Sequence, residues 1–102
     1  MKRYLKGNHD LHDEKNRNMQ LSYYLVEDTR DKEENRSLYS IQITKKRDHG
    51  GWMETEEDIT PALSDSKEMV ERMIEKLVKG VVTPVSLIEI VDDMFGENLG
   101  FI

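Results

Sequence analysis

The side chains best suited to chemistry in this sequence are its three histidines, since the chain contains no cysteine. His9 and His12 are three positions apart, each is followed by an aspartate, and imidazole with carboxylate is a ligand set for zinc or nickel. Both belong to a segment with little apolar content, and ordering a flexible segment costs entropy that weakens metal binding. We therefore expect no physiological metal site and no cofactor, and only weak metal binding by His9 and His12.

The third histidine, His49, follows Asp48 in a glycine-containing turn and precedes an acidic segment that includes Glu54 and Glu56. Catalysis by this histidine requires an oriented partner and a pocket, and the sequence identifies neither. The chain also lacks the G-x-S-x-G motif of serine hydrolases and the glycine-rich motifs of phosphate-binding loops. We expect a protein that is not an enzyme. The alternative is a small ligand-binding or enzymatic domain with its site near His49 and the acidic strand.

The charge of the chain is unevenly distributed. Residues 1–47 carry 11 basic and 8 acidic side chains, whereas residues 48–102 carry 4 basic and 13 acidic ones, which gives the net charge of −6. Residues 80–102 contain no lysine or arginine, so a helix from this region is unsuited to the major groove of DNA. The sequence therefore predicts no nucleic-acid binding. The acidic residues around Glu57 predict a solvated surface, with docking of a basic partner as the alternative.

Hydropathy gives no indication of a membrane segment. The longest runs without a charged residue are nine residues long, at 18–26 and 80–88, whereas a membrane span needs about 20 apolar residues. Residues 1–20 contain no apolar stretch typical of a secretory signal. We expect a cytoplasmic protein that does not bind membranes.

Alternation of apolar and polar residues with a period of two predicts the strands. Residues 37–45 have this pattern, and residues 21–28 are rich in tyrosine, leucine and valine, which also favours a strand. Residues 52–59 are expected to return as a third antiparallel strand, although four of these eight residues are acidic. Residues 1–20 have only scattered apolar side chains and are expected to form a flexible tail. Residues 21–102 are then expected to form a single domain.

Two helices are expected after the strands, from apolar residues that recur three and four positions apart. Asp65 is the expected N-cap of the first helix, with Glu68 completing a capping box. Thr83 and Pro84 have the residue types that start the second helix, and Gly96 is expected to end it. Three strands followed by two helices predict an α+β fold (βββαα), a three-stranded antiparallel sheet with both helices packed on one sheet face.

Adjacent apolar residues in the first expected strand bear on partner binding. Tyr23 and Tyr24, like Leu25 and Val26, must point to opposite faces, so one of each pair points away from the helices. We predict that Tyr23, Tyr24, Val26 and Trp52 contribute to a surface that binds a protein partner or a second copy of the chain. A domain of about 80 ordered residues has a core of marginal stability, which favours self-association. The sequence thus predicts a small non-enzymatic protein-interaction or regulatory domain.

A resemblance to a known family lies in the second expected helix and the residues just before it. The motif is Val82-x-Pro84-x-x-Leu87-x-x-Ile90-Val91-Asp92-Asp93. Together with the tyrosine-bearing first strand and the strand at 39–43, it resembles a family of short proteins of unknown function found mainly in clostridia and related Firmicutes. The resemblance covers about residues 21–95. It implies a bacterial cytoplasmic setting and carries no activity with it.

Overall fold

The computed structural model describes residues 1–31 and 36–98 of the chain. Four strands form one antiparallel sheet in the order β1-β2-β3-β4, and two helices follow. The strands are β1 (Lys2–His12), β2 (Asn18–Asp31), β3 (Arg36–Asp48) and β4 (Met53–Ile59). The helices are α1 (Lys67–Lys79) and α2 (Leu87–Asn98), and one 3₁₀ turn, Pro84–Ser86, leads directly into α2.

The expected three-stranded sheet is wrong, because the residues expected to form a tail contain a fourth strand. β1 pairs with β2 along its whole length, from Lys2 opposite Glu27 to His12 opposite Asn18, with one irregularity of register near its middle. The strand expected at residues 52–59 forms as β4. β1 gave no clear period-two pattern in the sequence because backbone pairing and contacts with α1, rather than a strongly apolar face of its own, hold it in place.

Three contacts with α1 fix the position of β1. Gly7 lies so close to Val78 that a Cβ on Gly7 would be 2.8 Å from Val78 Cγ2. His9 Nε2 lies 2.6 Å from the carbonyl oxygen of Val78, so this nitrogen carries the proton and donates to the carboxyl end of α1. Lys6 Nζ forms an ion pair with Glu71 at 2.8 Å. These contacts join residues more than sixty positions apart, which no local pattern can show.

The helix boundaries follow local signals with two corrections. The N-cap of α1 is Ser66 rather than the expected Asp65, since Ser66 Oγ accepts a hydrogen bond from the backbone N–H of Met69 at 3.2 Å. Thr83 takes the expected position before the 3₁₀ turn, although its side chain makes no capping hydrogen bond. α2 continues past Gly96, so this residue does not end the helix.

The hydrophobic core lies between the sheet and the two helices. Alternate side chains of β2 and β3 point toward the helices, and we call this side of the sheet the helix face and the other side the open face. Burial of each large aliphatic side chain stabilises the fold by about 1.5–3 kcal/mol. The α+β class is confirmed, with both helices on one face. The core consists of Leu21, Tyr23, Leu25, Ile41, Ile43, Val70, Met73, Ile74, Leu77, Val82, Leu87 and Val91.

The molecule is thin for its length because, within residues 1–31 and 36–98, the helices all cover the same face of the sheet. Its Cα atoms extend over 48 × 34 × 16 Å, and the radius of gyration is 15.2 Å. A compact domain of this length has a radius of gyration of about 13 Å. Neither helix in the described part of the chain is long and apolar enough to cross a membrane.

Candidate functional site

The open face carries a row of exposed apolar side chains. The strand register places Leu5, Tyr24, Gln42 and Ile59 side by side across all four strands, and we call these four residues the central row. Leu5 is 56% exposed, Ile59 is 42% exposed and Tyr24 is half-buried. No helix or strand within residues 1–31 and 36–98 packs over this row. Aligned apolar groups of this kind mark a candidate binding surface, whereas scattered ones do not.

Polar side chains connect neighbouring members of the central row. The guanidinium carbon of Arg3 lies 4.0 Å from the centre of the Tyr24 ring, a cation–π contact. Arg3 Nη1 also donates to Gln42 Oε1 at 3.2 Å, and Gln42 Nε2 donates to Glu57 Oε2 at 3.3 Å. The cation therefore lies over Tyr24 in the middle of the row, and Gln42 separates it from the carboxylate of Glu57 on β4.

The four residues predicted to bind a partner are dispersed by the fold. Tyr23 is completely buried on the helix face, where its hydroxyl donates to the carbonyl oxygen of Val82 at 2.8 Å. This burial raises the pKa of Tyr23 to about 12, because an apolar environment disfavours the phenolate. Tyr24 and Val26 lie on the open face, but Val26 is only 3% exposed. Trp52 is 61% exposed in the turn between β3 and β4. Of the four, Tyr24 is the member of the central row.

His9 and His12 lie on opposite faces of the sheet and cannot chelate one ion together. His9 is paired with Leu21 of the helix face, whereas His12 is paired with Asn18 of the open face. Side chains of a strand alternate between faces, so positions three apart point in opposite directions. Within the described part of the chain, no three His, Asp or Glu side chains are arranged to hold a metal ion.

His49 lies at the centre of a polar cluster that joins two turns. Its Nδ1 is 2.8 Å from Arg17 Nη1, in the turn between β1 and β2, and its Nε2 is 3.2 Å from Glu54 Oε1 on β4. The imidazole also stacks on the indole of Trp52, with ring centres 4.2 Å apart and an angle of 8° between the planes. The pair of His49 with Glu54, which the alternative prediction required, is therefore formed.

Two further contacts complete the cluster and perturb its carboxylates. Arg47 Nη1 donates to Glu54 Oε1 at 3.2 Å, and Asp13 Oδ2 accepts from Arg17 Nε at 2.7 Å. The hydrogen bond from His49 lowers the pKa of Glu54, and the charge and hydrogen bond of Arg47 lower it further. The backbone N–H of Arg17 lowers the pKa of Asp13, with its guanidinium adding to the effect. Both carboxylates are therefore ionised at neutral pH.

The acidic strand β4 is partly neutralised by the basic end of β3. Lys45 pairs with Glu56 at 3.3 Å, and Arg47 pairs with Glu54 at 3.2 Å, each across directly opposed strand positions. Opposite charges at such positions stabilise a sheet modestly. The signal was present in the sequence, because three consecutive basic residues precede the turn and the acidic residues follow it. The antiparallel register is what turns two charged runs into complementary neighbours.

A shallow concavity of about 330 Å³ lies on the open face at the end of the sheet near this cluster. His12, Lys46, Asp48 and Met53 are among the residues that line it. His49 and Glu54 lie on the other side of the sheet, so this concavity does not enclose them. The alternative prediction was a ligand-binding or enzymatic site near His49 and the acidic strand. His49 and Glu54 are paired as that site requires, but this concavity does not provide the pocket that it also requires.

Comparison with known proteins identifies the family to which the chain belongs. A model described as a family of unknown function (DUF6514) matches residues 2–97, which includes β1 as well as the segment expected to fold. No curated protein and no solved structure matches the chain.

Proposed function

We propose that this chain, which belongs to the DUF6514 family of unknown function, is a small non-enzymatic protein-interaction domain that self-associates through its open face. The observation that carries the proposal is the central row. Its apolar members Leu5, Tyr24 and Ile59 lie in one line across a sheet face that no described element covers. Sheets in small domains bury their apolar side chains against a second layer. A second copy of the chain supplies that layer.

The exposed surface area of the chain is large enough to include an interface with a second copy. The chain exposes 6869 Å² at a mass of 12.0 kDa. A compact monomer of this mass exposes about 6000 Å². The excess of about 900 Å² is close to the roughly 800 Å² that each partner buries in a standard protein interface.

The geometry of the row favours a second copy as the occupant of the open face. A two-fold axis parallel to the strands, in the plane between two stacked sheets, lays β1 of one copy over β4 of the other. Leu5 then faces Ile59 of the second copy, and Tyr24 faces its Gln42. Each exposed aliphatic side chain of one row is thereby covered by an aliphatic side chain of the other.

Sedimentation velocity over a range of concentrations tests the self-association. We expect a concentration-dependent dimer in the wild-type protein and a monomer in Ile59→Asp, because the variant places a charge at the centre of the interface. Val85→Asp is the matched control, since Val85 is exposed on the 3₁₀ turn, outside the central row. A wild-type monomer up to high micromolar concentration contradicts the proposal, as does dissociation by Val85→Asp while Ile59→Asp remains dimeric.

Cross-linking tests the arrangement of the two copies, because the chain has no native cysteine. In the variant that combines Leu5→Cys with Ile59→Cys, a short bis-maleimide that spans the roughly 10 Å between stacked sheets should produce a covalent dimer. Within one chain the two positions are three strand spacings apart, about 14 Å, which is beyond the reach of this reagent. Leu5→Cys combined with Val85→Cys is the control and should stay monomeric on a denaturing gel. A dimer by sedimentation without cross-linking of the first pair overturns the two-fold axis parallel to the strands.

The proposed setting is the bacterial cytoplasm, and its support is the resemblance of the motif at residues 82–93 to proteins of clostridia and related Firmicutes. The proposed partner is a protein rather than a nucleic acid. α2 carries Glu89, Asp92 and Asp93 and no basic residue, which is unfavourable for contact with phosphates.

A further inference from the structure

The hydrogen bonds of His49 define which of its nitrogens carries the proton. A guanidinium has only donors, so Arg17 Nη1 at 2.8 Å requires that His49 Nδ1 be an unprotonated acceptor. The other nitrogen, Nε2, then carries the proton and donates to Glu54 Oε1 at 3.2 Å. The neutral imidazole thus connects the β1–β2 turn, which holds Arg17, to β4.

Protonation of His49 is incompatible with this arrangement. A proton on Nδ1 sets an N–H against an N–H of Arg17 at 2.8 Å and places two positive charges in contact. Rotation of the ring by 180° does not remove this repulsion between donors, because both nitrogens of an imidazolium are donors. We propose that His49 is a pH-sensitive latch that holds the Arg17 guanidinium of the β1–β2 turn when neutral and releases it when protonated.

Charged groups from every neighbouring element face this latch and act in opposite directions. Arg17 and Arg47 oppose protonation of His49, while Glu54 favours it and remains ionised because hydrogen bonds and nearby cations lower its pKa. Asp13 accepts hydrogen bonds from the backbone N–H and the guanidinium of Arg17, and it also forms an ion pair with Arg47 Nε at 3.4 Å. Arg17 therefore stays with its own turn, and the turn keeps a contact with β3, when the latch opens. Imidazole is the side chain that changes charge between about pH 5 and 8, which makes His49 the group able to switch in that interval.

Trp52 provides a direct reporter of the latch, because it is the single tryptophan of the chain and stacks on His49 at 4.2 Å. An imidazolium quenches indole fluorescence more strongly than a neutral imidazole does. We expect the emission of Trp52 in the full chain to fall with a single midpoint between about pH 8 and 5. The backbone amide signals of residues 15–17 in NMR spectra should shift with the same midpoint, since the Arg17 guanidinium is released when His49 is protonated.

Variants separate a latch from a merely adjacent histidine. His49→Gln should abolish both transitions, because glutamine can accept from Arg17 and donate to Glu54 but does not titrate in this interval. Arg17→Gln removes the guanidinium that the latch releases, so the amide signals of residues 15–17 should no longer shift with pH. Arg72→Gln, at an exposed position on α1, is the matched control and should leave the midpoint unchanged.

Three results overturn the latch. They are an emission that does not titrate in wild type, a transition that persists in His49→Gln, and a titrating emission with amide signals of the turn that stay constant. The inference is independent of the proposed dimer, since His49 and Trp52 lie outside the central row. A failed latch with an intact dimer, or the converse, therefore identifies which of the two proposals is at fault.

Discussion

Replacement of Tyr23 by phenylalanine tests the hydrogen bond that ties β2 to the segment between the two helices. The ring stays buried, so the change removes only the hydroxyl that donates to the carbonyl oxygen of Val82 at 2.8 Å. Because Val82 is itself buried, its carbonyl loses a donor that water does not replace, which costs about 1–2 kcal/mol of stability. Urea denaturation near neutral pH should show this loss with an unchanged m-value.

The same variant also changes the response of stability to alkaline pH. Burial raises the pKa of Tyr23 to about 12, whereas a phenol in the unfolded chain ionises near pH 10. The contribution of the neutral phenol is therefore complete below about pH 10 and is lost as the pH rises toward 12, at about 1.4 kcal/mol per pH unit. Over that interval, wild type should lose up to about 3 kcal/mol more than Tyr23→Phe does.

Tyr24→Phe is the matched control for this prediction, because the Tyr24 ring keeps its contact with Arg3 when the hydroxyl is removed. Its stability should stay within about 0.5 kcal/mol of wild type. All measurements need one protein concentration, since self-association adds to apparent stability. Equal stabilities of the two variants near neutral pH, or an alkaline loss in Tyr23→Phe as steep as that of wild type, would refute the reasoning.

Two further substitutions test contacts that only the structure shows. In thermal melting, Gly7→Ala should lower the free energy of unfolding by about 1–3 kcal/mol, because its Cβ would be 2.8 Å from Val78 Cγ2. Gly96→Ala on α2 is the control, since its Cβ would have no neighbour within 4 Å, and its stability should be equal to or higher than that of wild type. A Gly7→Ala protein as stable as wild type would show that β1 does not dock this closely. Ser66→Ala should lower the free energy of unfolding by about 1 kcal/mol in chemical denaturation, because α1 loses its N-cap. Asp65→Ala should have little effect. A larger loss of stability in Asp65→Ala than in Ser66→Ala would show that Asp65 is the N-cap, as expected from the sequence.

Local sequence signals were sufficient for most of the helical part of the fold. The apolar residues of α1 recur with helical spacing, and Gly80 and Pro84 stand at the end of one helix and the start of the next, as their residue types require. Such signals depend on neighbours along the chain, so they survive without knowledge of tertiary contacts. The cap of α1 was misplaced by one residue because Asp65 and Ser66 are both good N-caps, and only the backbone angles at Ser66 decide between them.

β1 and the His49 cluster were beyond local signals for a different reason. β1 is stabilised by pairing with β2 and by Val78 of α1, and neither partner can be inferred from the hydropathy of residues 2–12. In the same way, Arg17 gave no sign of its contact with His49, which is 32 positions away. The one usable hint was charge, since the basic end of β3 and the acidic β4 are complementary in an antiparallel hairpin.

The sequence by itself determined that Tyr23 and Tyr24 lie on opposite faces of a strand, because side chains alternate with a period of two. Only the tertiary structure decided which tyrosine is buried. The hydroxyl of Tyr23 donates a hydrogen bond to the carbonyl oxygen of Val82, 59 positions away, inside the core. The buried ring is therefore not accessible to a partner. Tyr24 is left beside Leu5, with Gln42 between it and Ile59, because the addition of β1 extended the open face without covering it. Alternation is a property of one strand, whereas the side of the sheet that becomes the core depends on where the helices pack.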